Sequence, residues 1–412
     1  MQGHIRRRGA HSYEYIVDVG TAAAQRCQTC GRRFWVERRQ KESCPVCGGR
    51  LLEAEERRRE TKAGFATRKE CQAAMAKVLV AVQERTYVAP TKVTVREFFQ
   101  KEWLPAIRAT IRPTTYRSYV QHVDCHIVPH IGNLKLEKLS GATINALYAK
   151  LAQSGKAKGK GGLSPLSIRH VHAVLHRALK DALRWERLSR NPIEAADPPR
   201  VNGSGHEMKT WSAEQLAAFL AATKDDRLHA LWHLLALTGL RRGEALALTW
   251  DDVDLEQASI SIRRALIPNG REVVVCEPKT ARGRRVVALD PATVEVLKGQ
   301  AARQLVDQAT AKSWTDTGLI FTREDGEALH PEVVSRFFRQ AVKRAALPTI
   351  RLHDLRHTHA TLALRAGIHP KVVSERLGHA TVSITLDTYS HAIPAMQEEA
   401  ATRIAQLVFA AR

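Results

Sequence analysis

A chain of 412 residues exceeds one ordinary domain and predicts about two to four. The net charge of +22 is interleaved with well-patterned apolar residues instead of gathered in low-complexity blocks, which points away from a histone-like tail and toward folded domains that bind a polyanion. No apolar run is long enough to span a bilayer and the N-terminus lacks the apolar core of a secretory leader, so no membrane and a cytoplasmic location are expected; seven cysteines, an odd number, do not suggest a disulfide framework there.

At the front, Tyr13, Tyr15, Val17 and Val19 alternate with Glu14, Ile16 and Asp18, the period of a strand. Residues 57–65 read as a short basic strand before a helix over 68–85. Between them, Cys27-x2-Cys30 and Cys44-x2-Cys47 have the spacing of a four-thiolate zinc site, with Gly31, Pro45, Gly48 and Gly49 making tight knuckles. A structural zinc is therefore expected on Cys27, Cys30, Cys44 and Cys47, in a ribbon over about residues 25–52 inserted into a small sheet. Such a ribbon either staples a short domain, the favoured reading, or adds DNA contacts through Arg32, Arg33, Arg38 and Arg39. Cys71, Cys125 and Cys276 fit inert packing positions.

A linker around residues 88–92 leads to a helical segment. Val95, Phe98, Phe99, Trp103 and Leu104 share one helical face, and Pro113 with Thr114 and Thr115 opens a second helix. Further helices are predicted over 140–154 and 164–184, separated by the polar, glycine-rich loop 155–162. Residues 91–195 thus read as a small all-helical domain, and 196–209, with Pro198, Pro199, Gly203 and Gly205, as a hinge. Exposed basic positions expected to meet DNA are Arg6, Arg7, Arg8, Arg112, Lys156, Lys158, Lys160 and Arg282.

In the last part, Ser212 is set to cap a helix whose first turn carries Glu214. An apolar helix from Leu228 ends at Gly239, and Arg241 stands where the chain enters the next helix, beside Glu244. Strands over 259–264 and 272–276 precede a basic turn that holds Lys279, Arg282 and Gly283. Three clusters follow: His353-Asp354-Leu355-Arg356-His357, Gly378-His379, and Thr388-Tyr389-Ser390-His391. An arginine fork matches phosphate oxygens, and a phenol is a usable nucleophile once its proton is removed or screened. A zinc reading of His353 and His357 is disfavoured, because no glutamate lies between them and Arg356 would set a cation beside the metal. Met396, Ala400, Ile404, Leu407 and Val408 fall on one face of a tail helix over 394–412.

These motifs resemble the tyrosine recombinase, or phage integrase, family: Thr-Gly-Leu-Arg from Thr238, Pro-Lys-Thr from Pro278, His-Asp-Leu-Arg-His-Thr-His from His353, Leu-Gly-His from Leu377 and Thr-Tyr-Ser-His from Thr388. Looser likeness joins residues 91–195 to that family's core-binding domain, and residues 1–90 to its arm-site-binding domain. The implied fold is multidomain α+β: a three-stranded sheet plus helix with the zinc ribbon inserted, an all-helical SAM-like domain that clamps one side of the duplex, and a mainly helical catalytic domain over 210–393 with a small antiparallel sheet. The implied enzyme cuts and rejoins DNA through a 3′-phosphotyrosine, without metal or ATP in catalysis. Arg241 and Arg356 would grip the scissile phosphate, Tyr389 attack it, Lys279 protonate the leaving 5′-oxygen, His353 and His379 assist, and Glu244 orient an arginine. The resemblance leaves His357, His359 and His391 as structural or peripheral. Implied partners are double-stranded attachment sites, a synaptic tetramer coupled by the tail helix, and a host DNA-bending protein and excisionase. Integration or excision of a mobile element is the expected task; topoisomerase IB-like relaxation, dimer resolution and an idle DNA-binding regulator are the alternatives.

Overall fold

The computed structural model describes residues 3–9, 11–36, 41–84, 87, 92–157, 159, 161–201, 208–277, 283–389, 401–402, 404–406 and 408–409. The chain forms two compact units, Met1–Val201 and Asn202–Arg412.

In the first unit, β1 (Gly3–Gly9), β2 (Ser12–Cys27), β3 (Arg33–Trp35) and β4 (Leu51–Phe65) make one antiparallel sheet in which β2 neighbours the other three. Near its start β2 lies between β1 and the end of β4, with Tyr15 opposite Ile5 and Lys62; near its end it pairs with β3 and the start of β4, with Ala24 opposite Trp35 and Ala54. The β2–β4 register slips between Asp18 and Thr21, where Gly20 has φ 105°, a backbone that glycine adopts without a Cβ penalty. The near half packs under α1 (Arg68–Gln83), capped by Thr67, through Tyr15, Val17 and Cys71. That half is a three-stranded sheet plus helix. The cysteine module, expected as a ribbon over about residues 25–52 inserted into a small sheet, sits at the far ends of the two longest strands: Cys27 closes β2, and Cys30, Cys44 and Cys47 lie in the segments between β2 and β4. Glu53, Glu55, Glu56 and residues 57–59 are strand without apolar alternation because a narrow ribbon has no core face to bury there.

The remainder of this unit is helical. α2 (Val95–Glu97), a π-helical turn (Phe98–Trp103) and α3 (Leu104–Ile107) run on from a Thr94–Glu97 capping box. α4 (Pro113–His122) passes through a second π turn (Val123–Ile127) into α5 (Val128–Ile131), and α6 (Gly141–Ser154) and α7 (Pro165–Arg184) are capped by Ser140 and Ser164. Phe98, Phe99 and Trp103 are fully buried, and the Trp103 indole donates to Asp181 at 2.9 Å. A buried aromatic is worth about 3–5 kcal/mol against alanine, so this face, and not the basic outer one, holds the domain.

The second unit opens with α8 (Ala213–Ala222) on a Ser212–Gln215 capping box, followed by α9 (His229–Thr238) and α10 (Arg242–Leu246). Next come β5 (Val253–Asp254), β6 (Ser259–Ile262), β7 (Ala265–Asn269), β8 (Glu272–Cys276) and β9 (Arg285–Ala288). The small antiparallel sheet expected here is two: a three-stranded β5-β6-β9 and a β7-β8 hairpin. α11 (Pro291–Thr310), α12 (Pro331–Arg344), α13 (Asp354–Arg365), α14 (Pro370–Leu377) and α15 (Val382–Tyr389) complete it. Trp211, Phe219, Trp232 and Phe338 interlock in the main core, while Ala360, Leu364, Val373, Leu377 and Tyr389 form a smaller core that fixes the last three helices.

Candidate active site

The site is built on the C-terminal ends of two helices. α9 ends at Gly239 and α14 at Gly378, each left-handed with φ 66°. A Cβ on Gly239 would come within 2.6 Å of the Leu377 side chain and 2.7 Å of the His359 ring, so the ends meet where only glycine fits. Helix C-termini carry partial negative charge and unsatisfied carbonyls, which suit guanidinium groups. Arg356 donates from Nη1 to Gly239 O at 2.8 Å and from Nη2 to Leu377 O at 2.7 Å. Arg241 reaches Gly378 O at 3.2 Å, and Arg285 Nε reaches Arg376 O at 2.7 Å. Three successive carbonyls, of residues 376, 377 and 378, thus each accept from a different arginine. Arg376 in turn donates to Leu237 O at 3.1 Å in α9.

Glu244, 4% exposed, completes this frame. It accepts from Arg241 Nη1 at 2.7 Å and Arg285 Nη2 at 2.8 Å, and from the Arg241 backbone N–H at 3.1 Å. Burial alone would raise its pKa, but the hydrogen bond from Arg285 and the charges of Arg285 and Arg241 hold it below the usual glutamate value. Burial, reinforced by the charge of Arg241, pushes the Arg356 guanidinium down to about 9, so it stays cationic at neutral pH. Glu244 pairs with Arg241 and Arg285 while Arg356 is seated on backbone carbonyls, and the unbalanced positive charge suits the site to an anion such as a phosphodiester.

His353 immediately precedes α13, and burial followed by the charges of His357 and Arg356 takes it down to about 4. Its ring meets His357 edge-on, with centroids 5.0 Å apart. His379 follows Gly378; its Nδ1 lies 2.8 Å from Thr385 Oγ1 and its ring is parallel to that of Tyr389 at 6.5 Å. Burial and then Arg356 and Arg241 hold it at about 4 too. Both imidazoles are thus held below the ordinary histidine value, although His353 itself is exposed and His379 half-buried. Tyr389, the last residue of α15, is 1% exposed. Burial raises its pKa, against the opposing pull of Arg356 and Arg241.

Arg241, Glu244, His353, Arg356, His379 and Tyr389 are thus gathered in one basic site, with Glu244, Arg356 and Tyr389 buried, Arg241 and His379 half-buried and His353 exposed. Lys279 and Arg282 lie outside the described residues, as do Lys158, Lys160, Arg38, Arg39, His391, Met396, Ala400 and Leu407. Arg112 and Lys156 are exposed in the helical domain. Arg6, Arg7 and Arg8 are all exposed on β1, Arg6 and Arg8 paired with buried Glu14 and Arg7, on the alternate face, donating to Gly9 O. Cys27 Sγ is 3.4 Å from Cys47 Sγ and Cys30 Sγ is 3.7 Å from Cys44 Sγ, and the four sulfurs lie within 4.8 Å of one another. Four thiolates at about 2.3 Å from one ion sit roughly 3.8 Å apart, so the cluster can coordinate a metal. In the tail, Ile404, Val408 and Phe409 are exposed.

Sequence reasoning missed three participants. Arg285 and Arg376 anchor helix ends, yet each reads as one more surface cation. His357, set aside as peripheral, places Nδ1 2.9 Å from the Tyr389 hydroxyl. Its position one helical turn after His353 was the available signal.

The model of the phage integrase family matches residues 208–396, and that of the phage integrase N-terminal SAM-like domain matches 94–152. The ICEBs1 integrase of Bacillus subtilis is 27% identical over 374 residues, covering 88% of this chain and 95% of that protein. The XerC-like tyrosine recombinase of Caldanaerobacter subterraneus is 27% identical over 359 residues, covering 81% and 88%. Among solved structures, the Tn1549 transposon integrase in complex with a circular intermediate DNA matches with a TM-score of 0.62 at 22% identity, over 76% of this chain and 100% of that one. A λ integrase dimer bound to a COC′ core site matches with a TM-score of 0.54 at 16% identity, over 93% and 94%. Both structural matches speak to fold.

Proposed function

We propose the task and the residue roles of a chain that belongs to the phage integrase family of tyrosine recombinases, and so cuts and rejoins DNA site-specifically through a catalytic tyrosine: it integrates or excises a mobile element. The convergence of Arg241, Arg356, His353, His379 and Tyr389 on one basic pocket carries this reading of the site.

Arg241 and Arg356 bind the non-bridging oxygens of the scissile phosphate. Their inner N–H groups are fixed on helix carbonyls, so the charge that grows in the transition state meets donors already in place. Glu244 holds Arg241 in that pose. Tyr389 attacks phosphorus, giving a 3′-phosphotyrosine and a free 5′-hydroxyl, with Lys279 as proton donor to the leaving oxygen. His353 and His379 hydrogen-bond the phosphate. The bond energy stays in the phosphotyrosine, so rejoining needs neither metal nor nucleotide.

The near half of the N-terminal sheet serves as an arm-site reader through Arg6, Arg7 and Arg8, and the helical domain binds the core site through Arg112 and the 155–162 loop, with Lys156, Lys158 and Lys160. Zinc on Cys27, Cys30, Cys44 and Cys47 staples the far half, which has little apolar core of its own. The λ integrase has been solved as a tetramer bound to a Holliday junction, and a tetramer is the assembly proposed here, joined through a tail whose Ile404, Val408 and Phe409 lack cover. A host DNA-bending protein and an excisionase fit a reader of two kinds of site. A front domain of this kind favours an element integrase over a dimer resolvase or a topoisomerase, which have no use for arm sites.

The test is Tyr389→Phe. On a plasmid carrying the DNA that flanks the gene for this chain, the variant is expected to bind as the parent does while forming no detergent-stable protein–DNA adduct. An adduct from the variant would remove Tyr389 as nucleophile.

A further inference from the structure

The nitrogen at the Tyr389 hydroxyl does not belong to the histidine that the sequence pattern favours. His357 Nδ1 is 2.9 Å from Tyr389 Oη, with ring centroids 5.7 Å apart. His353 stands one turn earlier, against the other side of the His357 ring. The Nδ1 of His379 is taken up with Thr385.

We propose that His357 is a catalytic residue of strand cleavage: its Nδ1 accepts the Tyr389 proton as the phenolic oxygen attacks phosphorus. The assignment rests on the reading of Tyr389 as nucleophile. In cleavage the Oη–H bond breaks, the proton passing to Nδ1 while the electron pair forms the Oη–P bond. The P–O5′ bond breaks, and the 5′-oxygen leaves with a proton from a separate donor. The products are a phosphotyrosine, a 5′-hydroxyl and an imidazolium at His357. In rejoining, an incoming 5′-hydroxyl gives its proton to that separate group and attacks phosphorus, and Oη departs with the proton held on Nδ1.

The surroundings fit a base. The step needs a neutral ring with hydrogen on Nε2, leaving the Nδ1 lone pair toward Oη. His357 faces His353, Asp354 and Arg356 of its own segment, Arg351 before it, Tyr389 of α15 and His379 beyond α14. Burial, then the cations Arg351 and Arg356 acting against Asp354, keeps its pKa below the ordinary histidine value. Arg356 and Arg241 favour the phenolate that forms as the proton leaves.

The experiment compares the full chain with His357→Ala and His357→Asn. The asparagine carbonyl can accept the tyrosine hydrogen bond where Nδ1 sits, but it takes no proton. On the same plasmid, both variants are expected to bind normally and to form the adduct about 100-fold more slowly. Both should also lose the acid limb of the pH–rate profile that protonation of His357 gives the parent. A parental rate in His357→Ala, or full rescue by His357→Asn, would overturn the proposal. Nitrogen NMR of the DNA-free protein supplies an independent reading. An unprotonated Nδ1 at His357 that shifts in Tyr389→Phe is expected, and an Nδ1 carrying hydrogen would sink the idea. Failure of the parent to form any adduct would instead overturn the nucleophile assignment, so the two readings fail separately.

Discussion

Glu14 and Glu244 are both buried carboxylates that hold two arginines apiece, Arg6 and Arg8 on the N-terminal sheet, Arg241 and Arg285 in the catalytic unit. The side chains of Arg6 and Arg8 are 54% and 58% exposed, against 43% for Arg241 and 7% for Arg285. Arg241 and Arg285 also have a second anchor in a helix-end carbonyl. A guanidinium tied at one point on an open strand can adapt to a groove. One tied at two points keeps its direction, and transition-state stabilisation requires that, because no reorganisation is then left for the moment of reaction. In the roles proposed above the same ion pair serves two purposes, and the second tie decides which.

The same substitution at both sites should separate them. Glu244→Gln is expected to have the larger effect, since it leaves Arg285 buried without its anion. The unfolding transition of the catalytic unit should fall by about 3–5 kcal/mol, and adduct formation by about 100-fold or more. A parental melting profile and adduct rate would break the comparison. On cleavage, metal removal has the smaller effect, though its local cost in folding is larger. A four-thiolate zinc contributes about 10 kcal/mol to folding in small modules, so chelation should expose the far half of the β2–β4 ribbon to protease while cleavage by the catalytic unit persists. Lost cleavage would contradict a role confined to stapling. Glu14→Gln should matter least. Its arginines are more than half exposed, so melting should move by no more than about 1 kcal/mol, with adduct formation unchanged and the loss confined to arm-site binding. A fall in cleavage matching that of Glu244→Gln would show that the second anchor is not what distinguishes the sites.

Where local physics decided the outcome, the chain was readable in advance. Ser212 caps the helix it was expected to cap, and the helices predicted to begin at Ser140 and Ser164 do begin there with those serines as caps, because an N-cap hydroxyl acts within three residues of itself. Gly239 likewise announced a helix end. Residues 51–56 were not readable as strand: a ribbon rich in Glu and Arg lacks the alternation that strand reading depends on. Arg285 follows Arg282 and Arg284 in one basic run of sequence, and nothing local separates the arginine that turns inward to Glu244 from the Arg284 left at the surface. His357 shares that difficulty. Its partner is 32 residues away, and the helix that brings Tyr389 back to it is a tertiary fact.

The three carbonyls at the end of α14 have a consequence for synthesis. Arg241, Arg285 and Arg356 leave the ribosome before residues 376–378, and those in turn leave before Tyr389. A chain released before residue 376 therefore bears the basic front and the helical domain but lacks both the carbonyl seats of residues 376–378 and Tyr389. With Tyr389 as the proposed nucleophile, the order of translation leaves an unfinished copy unable to break DNA.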